Sequence, residues 1–337
     1  RPVITLHTNK MYLCILDQEG EVVLHRNIKT KPDPFLRAIK PYRDDIVVCA
    51  ECMFTWYWLA DLCVDQEIPF VLGHALYMRA IHGGKSKNDK IDSRKIAGLL
   101  RGGLLPMAYV YPRKMRATRD LMRRRNHLMR KRAELLAHIQ NTASQYNLDP
   151  LGSISKARNR KGLLNIFDDH PEVMLSVAAN LDMIDTYDKV LSRLEIEIVH
   201  CAKGHDATSY ALLKTIPGVG KILALILLYE IENIARFPRV QNFSSYCRLV
   251  KCAKESNGKK YGTSGKKIGN AHLRWAFSEA AQLFVRGSGA ANQYYCKISN
   301  KHGKGKALSI LAHKLGRAVY FMLKNRQGFD MKTFLAA

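Results

Sequence analysis

Apolar and polar positions along the first hundred residues change repeatedly between the spacing of strands and the spacing of helices. Short β-rich runs, bounded by acidic and glycine residues, predict strands at residues 3–6, 11–17, 22–28, 45–51 and 69–72. Residues 34–40 and 54–64 have the pattern of helices. Strands that alternate with helices indicate an α/β domain of three layers, which we place at residues 1–112.

Further along the chain, apolar residues recur with the heptad spacing of long helices. The pairs 121/122, 128/129 and 135/136 are seven residues apart, and a second series follows at Ile184, Tyr187, Leu191, Leu194 and Ile198. We expect two long helices that form an intramolecular or intersubunit coiled coil, with the arginines of the first helix on its remaining surface. These helices define a basic, helical linker region at residues 113–204.

The last region, residues 205–337, is predicted to be mainly α-helical. The segment Ile216-Pro-Gly-Val-Gly220 precedes the apolar run 222–231 and resembles a helix-hairpin-helix turn, whose backbone amides face a DNA phosphate. Any tight turn between helices can use the same residues. Residues 251–274 are rich in lysine and glycine and predict a loop, and an amphipathic helix is expected at 307–323.

Charge decides what these elements are expected to contact. Lys and Arg number 54 against 29 Asp and Glu, so the formal net charge is +25. A chain this basic favours a polyanionic partner, above all nucleic acid, whose phosphates neutralise it with release of counterions. The longest apolar run is too short to cross a bilayer, no signal peptide is apparent, and the eight scattered cysteines indicate reduced thiols. We therefore expect a cytoplasmic protein that does not contact a membrane.

Candidate nucleic-acid contacts concentrate in the first long helix, the glycine turn and the basic loop. They are Arg113, Arg116, Arg119, Arg123, Arg124, Arg125, Arg130, Lys131, Arg132, Gly218, Gly220, Lys259, Lys260, Lys266, Lys267 and Arg274. A charged helix face is often only solvated, but a face so uniform in sign is better explained by binding.

Three carboxylates are candidates for a metal site. Glu51 ends a buried strand, at the edge of an open α/β sheet where ligands bind, and Asp89 and Asp92 lie three residues apart on one face of a predicted helix. Acids in a first helical turn also serve as caps or complement the helix dipole. Together, however, the three offer the oxygen ligands that Mg²⁺ or Mn²⁺ prefers.

An ordered set of short motifs resembles the bridge-RNA-guided transposases of bacterial insertion sequences. The set comprises Cys49-Ala-Glu51, Asn88-Asp-Lys-Ile-Asp92-Ser-Arg94, residues 103–112, Ile216-Pro-Gly-Val-Gly220 and Glu255-Ser256 ahead of Gly262 and Leu273-Arg274. The resemblance spans nearly the whole chain. It implies a RuvC-like (RNase H-like) N-terminal domain with a four-carboxylate DEDD site and a C-terminal transposase domain with a catalytic serine.

The same resemblance assigns roles to individual residues. Three of the four carboxylates correspond to Glu51, Asp89 and Asp92, whereas Thr5 stands where the first aspartate belongs. The serine that forms a covalent link to DNA corresponds to Ser256, with Ser264 in reserve. Implied partners are double-stranded target and donor DNA, a structured non-coding guide RNA, and further copies of the chain in a dimer or tetramer.

Three functions therefore compete. The first is an RNA-guided DNA recombinase that works through a metal-assisted serine. The second is a RuvC-like nuclease that hydrolyses DNA with metal-activated water and uses its C-terminal domain only for binding. The third is a catalytically impaired DNA- or RNA-binding protein, because Thr5 replaces the first acid with a single neutral oxygen.

Overall fold

The computed structural model describes residues 2–6, 9–81, 88–264 and 268–336. The chain divides into two compact units, residues 1–113 and 114–337. The first is an α/β unit and the second is mainly helical, as predicted. The long helix α6 described below is interrupted by a kink at Asp206, whose φ and ψ angles are −158° and 82°, close to the boundary that the sequence suggested at residues 204 and 205. No helix within the described ranges is long and apolar enough to span a membrane.

One mixed sheet of six strands forms the centre of the first unit. Its strands are β1 (Pro2–Leu6), β2 (Lys10–Leu16), β3 (Val22–Lys29), β4 (Val48–Glu51), β5 (Phe70–Gly73) and β6 (Met107–Ala108). Their order across the sheet is β3-β2-β1-β4-β5-β6. The pairs β1–β2, β2–β3 and β5–β6 are antiparallel, and β1–β4 and β4–β5 are parallel. The short edge strand β6 was not predicted.

Helices cover both faces of this sheet. They are α1 (Pro32–Ile39), α2 (Tyr57–Asp65), α3 (Ala75–Ile81) and α4 (Asp89–Arg101). Because successive residues of a strand face opposite sides, Leu13 and Ile15 share a core with α1 and α2, while Cys14 and Leu16 share a core with α3 and α4. The three-layer prediction is confirmed, although α3 was not expected.

Eight α-helices, one hairpin and three short 3-10 helices lie in the described part of the second unit. The helices are α5 (Arg113–Gln145), α6 (Pro171–Lys214), α7 (Lys221–Ile231), α8 (Val240–Tyr246), α9 (Ala271–Gly287), α10 (Gly289–His302), α11 (Lys304–Asn325) and α12 (Met331–Ala336). The hairpin strands are β7 (Cys252–Ser256) and β8 (Lys259–Ser264). The prediction of a loop at residues 251–274 is therefore wrong, because most of that segment forms the hairpin and the start of α9.

Helices α5 and α6 run antiparallel to each other. Their side chains meet at Arg125–Glu195, Arg132–Asp188 and His138–Asn180, so positions rise along one helix as they fall along the other. The meeting points are spaced about seven residues apart, as in two helices packed along a heptad seam. The coiled-coil interpretation itself stays a prediction.

The arginines of α5 are not all on its surface. Arg116, Arg119, Arg125 and Arg132 are buried. Arg125 and Arg132 occupy the seam itself, opposite Glu195 and Asp188 of α6. The prediction that the arginines of α5 lie on its surface is therefore wrong for these four residues. The pattern was misleading because an arginine paired with an acid can occupy a position that an apolar residue usually fills.

Helix α7 lies at the centre of the second unit. Every residue from Leu223 to Ile231 is buried, and these residues share a core with α6, α9 and α11. A helix that is apolar on all sides must be surrounded by other elements. The exception in its sequence is Glu230, which is only 2% exposed.

Candidate functional site

Glu51 is positioned by the parallel part of the sheet. It is the last residue of β4 and pairs with Gly73 of β5, and its side chain is half-buried. The pairs Val3–Cys49 and Ile4–Ala50 bring the backbone of Thr5 level with Glu51 on the neighbouring strand. Only the backbone of Thr5 is described. The substituted position is therefore next to Glu51 in the sheet, at the carboxyl end of both strands.

Asp89 and Asp92 lie in the first turn of α4, as predicted. The helix is capped by Asn88, whose Oδ1 accepts a hydrogen bond from Ile91 N at 2.8 Å. The capping role is thus filled by a different residue. Asp89 is exposed and Asp92 half-buried, while Ile96 and Leu100 of the same helix are buried. In the first turn of the helix, the two acids can still interact favourably with the helix dipole or with a ligand.

The chemistry of these acids fits a hard divalent cation, because all three side chains offer only oxygen. Within the described ranges, however, three possible ligand atoms come within 4.8 Å of one another only at Glu197, His200 and Cys201 of α6. Glu51, Asp89 and Asp92 do not form such a group. Their assignment as metal ligands stays a prediction that rests on residue type and position in the fold.

Ser256 lies at the turn of the β7–β8 hairpin. It is exposed and pairs with Lys259 across Asn257 and Gly258, whose φ angles are 50° and 70°. Positive φ at both central residues is the requirement of a tight two-residue turn, which Asn-Gly meets at low cost. The reserve candidate Ser264 pairs with Cys252 at the other end of the hairpin. The two serines are therefore about 13 Å apart along the strand.

Basic and aromatic residues flank Ser256 on the hairpin. Lys259 and Lys260 are exposed, and Tyr261 is 68% exposed. Arg274, in the first turn of α9, is also exposed. Lys266 and Lys267 lie outside the described residues. Cations with a neighbouring aromatic ring are typical of surfaces that bind nucleic acid.

A buried carboxylate connects α7 to the segment that follows the hairpin. Asn270 caps α9 through Oδ1, which accepts from His272 N at 2.9 Å and Leu273 N at 3.1 Å. Its Nδ2 donates to Glu230 Oε2 at 2.7 Å. The residue that starts α9 after the serine hairpin is thereby fixed through both polar atoms of its side chain.

Two arginines of α5 complete this cluster. Arg119 Nε donates to Glu230 Oε2 at 3.1 Å, and Arg123 Nε donates to Oε1 at 2.6 Å. Burial opposes ionisation of Glu230, but the hydrogen bond from Arg123 and the charges of Arg119 and Arg123 outweigh it and lower its pKa to about 2. The carboxylate is thus ionised and holds α5, α7 and α9 together.

Sequence reasoning missed Glu230. The available signal was a single acid within the otherwise apolar run 222–231, next to a helix rich in arginine. A buried charge requires a partner of opposite sign, and the arginines of α5 are the obvious source. Because the arginines of α5 were predicted to lie on the surface, none of them was considered as a partner for Glu230.

The candidate basic residues of α5 therefore fall into two groups. Arg116, Arg119, Arg125 and Arg132 are buried, and Arg123 is half-buried against Glu230. Arg113, Arg124, Arg130 and Lys131 are exposed. Among these, Arg113 lies 3.5 Å from Asp65 and Lys131 lies 2.8 Å from Glu134. Arg124 and Arg130 are the strongest remaining candidates for phosphate contact.

The glycine turn between α6 and α7 has a packing role. Gly218 has a φ angle of 79°, and a Cβ at this position would lie 2.5 Å from the backbone carbon of Leu283 in α9. No other residue fits there without moving α9. Gly220 is the N-cap of α7 and is exposed. Packing explains Gly218, and contact with a phosphate remains a prediction for both glycines.

Comparison with known proteins finds transposases for both units of the chain. A family described as "Transposase", of the DEDD type found in IS110 elements, matches residues 6–148. The "Transposase IS116/IS110/IS902 family" matches residues 210–296. The chain is also 21% identical over 333 residues to the transposase for insertion sequence element IS1111A of Coxiella burnetii (strain RSA 493 / Nine Mile phase I), covering 94% of this chain and 87% of that protein.

These matches identify the chain as a DEDD-type transposase, an enzyme that cuts and rejoins DNA. Its N-terminal fold is RuvC-like, and a domain of this type indicates use of a divalent metal. The chain belongs to the IS110 family of insertion-sequence transposases.

Proposed function

We propose that this transposase is an RNA-guided DNA recombinase that forms a covalent phosphoserine intermediate through Ser256. The observation that carries the proposal is the position of Ser256, which is exposed at the turn of a hairpin and lies beside two exposed lysines, Lys259 and Lys260. An exposed hydroxyl beside fixed positive charge is suited to attack on a DNA phosphate, because the lysines stabilise the added negative charge.

The covalent step exchanges one phosphate ester for another. Ser256 Oγ attacks the scissile phosphorus and forms an Oγ–P bond, while the bond from phosphorus to one deoxyribose oxygen breaks. The hydroxyl proton of the serine ends on the released deoxyribose oxygen. Rejoining reverses these events with a different DNA end as the nucleophile, so no external energy source is needed.

Glu51, Asp89 and Asp92 are the residues that would hold Mg²⁺ or Mn²⁺. A bound divalent cation supplies positive charge to the transferring phosphoryl group. With Thr5 in place of the first acid, the set carries three negative charges instead of four. A site with fewer charges should bind the cation more weakly, which makes Thr5 the residue that tunes or limits activity.

The proposed partners are double-stranded target and donor DNA, a structured guide RNA and further copies of the chain. The net charge of +25 supports a large polyanionic partner. Base pairing with an RNA would supply sequence choice, as in other guided systems. Exchange of strands between two DNA molecules calls for at least two active serines, hence a homo-oligomer.

The test is to incubate the protein with target and donor DNA, any RNA recovered with the protein on purification from its native cells, and Mg²⁺, followed by a denaturing gel. We expect a protein–DNA adduct that is absent in Ser256→Ala and present in the matched control Ser264→Ala. Free cut ends without an adduct would instead identify a nuclease that uses water. Loss of the adduct in Ser264→Ala alone would move the nucleophile to that residue.

Thr5 supports a second candidate function, a nucleic-acid-binding protein with impaired catalysis. In that case the protein binds DNA and RNA but neither cleaves nor forms an adduct. Thr5→Asp then restores cleavage, because it returns the fourth carboxylate. Cleavage by the unaltered protein excludes this candidate.

A further inference from the structure

We propose that Glu197, His200 and Cys201 of α6 form a binding site for a borderline-soft divalent metal ion, with zinc the best match. One ligand atom from each residue lies within 4.8 Å of the others. The residues are spaced i, i+3 and i+4, which places all three on one face of a helix. No role in DNA cleavage is required of this site, which is separate in chemistry from the acidic positions of the sheet.

The distances suit a single ion. Cys201 Sγ donates to Glu197 Oε1 at 3.5 Å. Two ligands on one tetrahedral zinc lie about 3.3–3.8 Å apart, given bond lengths of about 2.0–2.3 Å. This pair therefore already has the separation that zinc requires. Small side-chain rotations would bring His200 to the same spacing.

The donor set selects the kind of metal. A thiolate, an imidazole and a carboxylate favour zinc, cobalt or cadmium, whereas Mg²⁺ prefers oxygen alone. The chain is strongly basic overall, which opposes the binding of any cation. A thiolate is needed to overcome this, because it adds both negative charge and a strong bond to the metal.

The surroundings leave the site accessible. Glu197 and His200 are exposed and Cys201 is half-buried, so an ion can enter from solution. Three protein ligands leave one open position on a tetrahedral ion. His205, one turn after Cys201, is engaged with Tyr229 Oη at 2.9 Å and is not needed as a fourth ligand.

Four of the other cysteines compete poorly for the metal. Cys14, Cys49, Cys63 and Cys247 are buried. Burial raises the pKa of Cys49 and of Cys63 to about 12, so these thiols stay protonated and do not offer a thiolate. Binding at Cys201 would release its thiol proton to solvent and replace its hydrogen bond to Glu197 with bonds from both residues to the metal.

The experiment is a titration of the reduced full-length protein with Co²⁺ in excess Mg²⁺. We expect a thiolate-to-cobalt charge-transfer band that saturates at one ion per chain and is reversed by Zn²⁺. Cys201→Ser should remove the band, and His200→Gln should weaken cobalt binding roughly tenfold or more. Cobalt bound by carboxylates alone gives no thiolate band. Cys52, which is exposed beside Glu51, is excluded as the source if Cys52→Ser keeps the band.

Cys296→Ser is the matched control. Cys296 is also exposed on a helix, and its Sγ donates to an amide oxygen, Asn292 Oδ1, at 3.7 Å one turn earlier. This variant should keep the band and its stoichiometry. The proposal is overturned if the unaltered protein shows no band, or if the band survives in Cys201→Ser.

Discussion

Carboxylates are used in opposite ways in the two units of this transposase. Glu51, Asp89 and Asp92 are at least partly exposed, at a strand end and a helix start. Glu230 is buried and receives hydrogen bonds from Arg119, Arg123 and Asn270. In a chain with a net charge of +25, an acid enclosed by two guanidinium groups cannot also bind a metal cation. Exposure and partners, more than residue type, separate an acid with an architectural role from one suited to catalysis.

The largest effect is expected from Glu230→Gln. The amide keeps the shape of the side chain but removes the negative charge that Glu230 places beside Arg119 and Arg123, which should cost about 3–5 kcal/mol. Urea unfolding followed by circular dichroism measures the decrease in stability. Asp92→Asn is the control and should change the free energy of unfolding by less than about 1 kcal/mol. Equal effects would mean that Glu230 does not hold the second unit together.

Acid should reproduce most of that destabilisation in the unaltered protein. The pKa of Glu230 is about 2 in the folded state, against a usual value of 4.5. The unfolded chain therefore binds the proton more readily, and the stabilisation is complete above about pH 4.5 and disappears as the pH falls toward 2. At 1.36 kcal/mol per pKa unit, the contribution is about 3 kcal/mol.

Measuring the unfolding free energy from about pH 6 down to about pH 3 checks this prediction. In Glu230→Gln the slope over that range should be shallower, because the titrating group is absent. Asp188 also has a lowered pKa, since hydrogen bonds from Arg132 and Arg160 outweigh its partial burial, so some slope remains. Identical slopes in the variant and the unaltered protein would contradict the assignment to Glu230.

A smaller loss of stability is expected when an ion pair between α5 and α6 is broken, and a second substitution should restore most of it. Glu195→Leu leaves Arg125, which is buried, without its partner and should cost about 2–3 kcal/mol. The double variant Arg125→Leu/Glu195→Leu places apolar residues at both seam positions and should recover most of that stability. The same unfolding measurement tests both. If the double variant is less stable than the single one, the ion pair contributes more than an apolar pair would.

Arginines on the two sides of α5 should differ in their effect on nucleic-acid binding. Arg124→Gln and Arg130→Gln remove exposed charge, and each phosphate interaction that disappears should reduce the slope of log affinity against log salt by about 0.9. Arg125→Gln should change stability but leave that slope unaltered. A filter-binding or anisotropy titration at several salt concentrations compares them. Unchanged slopes in the exposed variants would show that this face is only solvated.

The sequence was sufficient for the sheet but not for the ion pairs between α5 and α6. Strands β1 to β5 were predicted because alternating and continuous apolar runs report burial directly. The apolar spacing predicted that residues 187 and 194 of α6 lie in its seam. It gave no sign that the next residues, Asp188 and Glu195, form ion pairs with Arg132 and Arg125 of α5. The hairpin at 252–264 was taken for a loop, since its lysines and glycines carry no strand pattern. Paired charges and turn-rich strands are decided by tertiary partners, which a single sequence does not specify.

Substitutions at the start of α4 can distinguish a carboxylate that only stabilises the helix from one that also binds a metal ion. Asn88 is the cap, so Asn88→Ala should cost about 1 kcal/mol of stability. Asp89→Asn and Asp92→Asn each weaken a favourable interaction with the helix dipole, which is worth about 0.3–1 kcal/mol. If both acids hold a metal, these two variants should nevertheless abolish Mg²⁺-dependent cleavage, while Asn88→Ala retains it at a temperature well below unfolding. Cleavage that follows stability across all three variants would instead show that the acids belong to the helix alone.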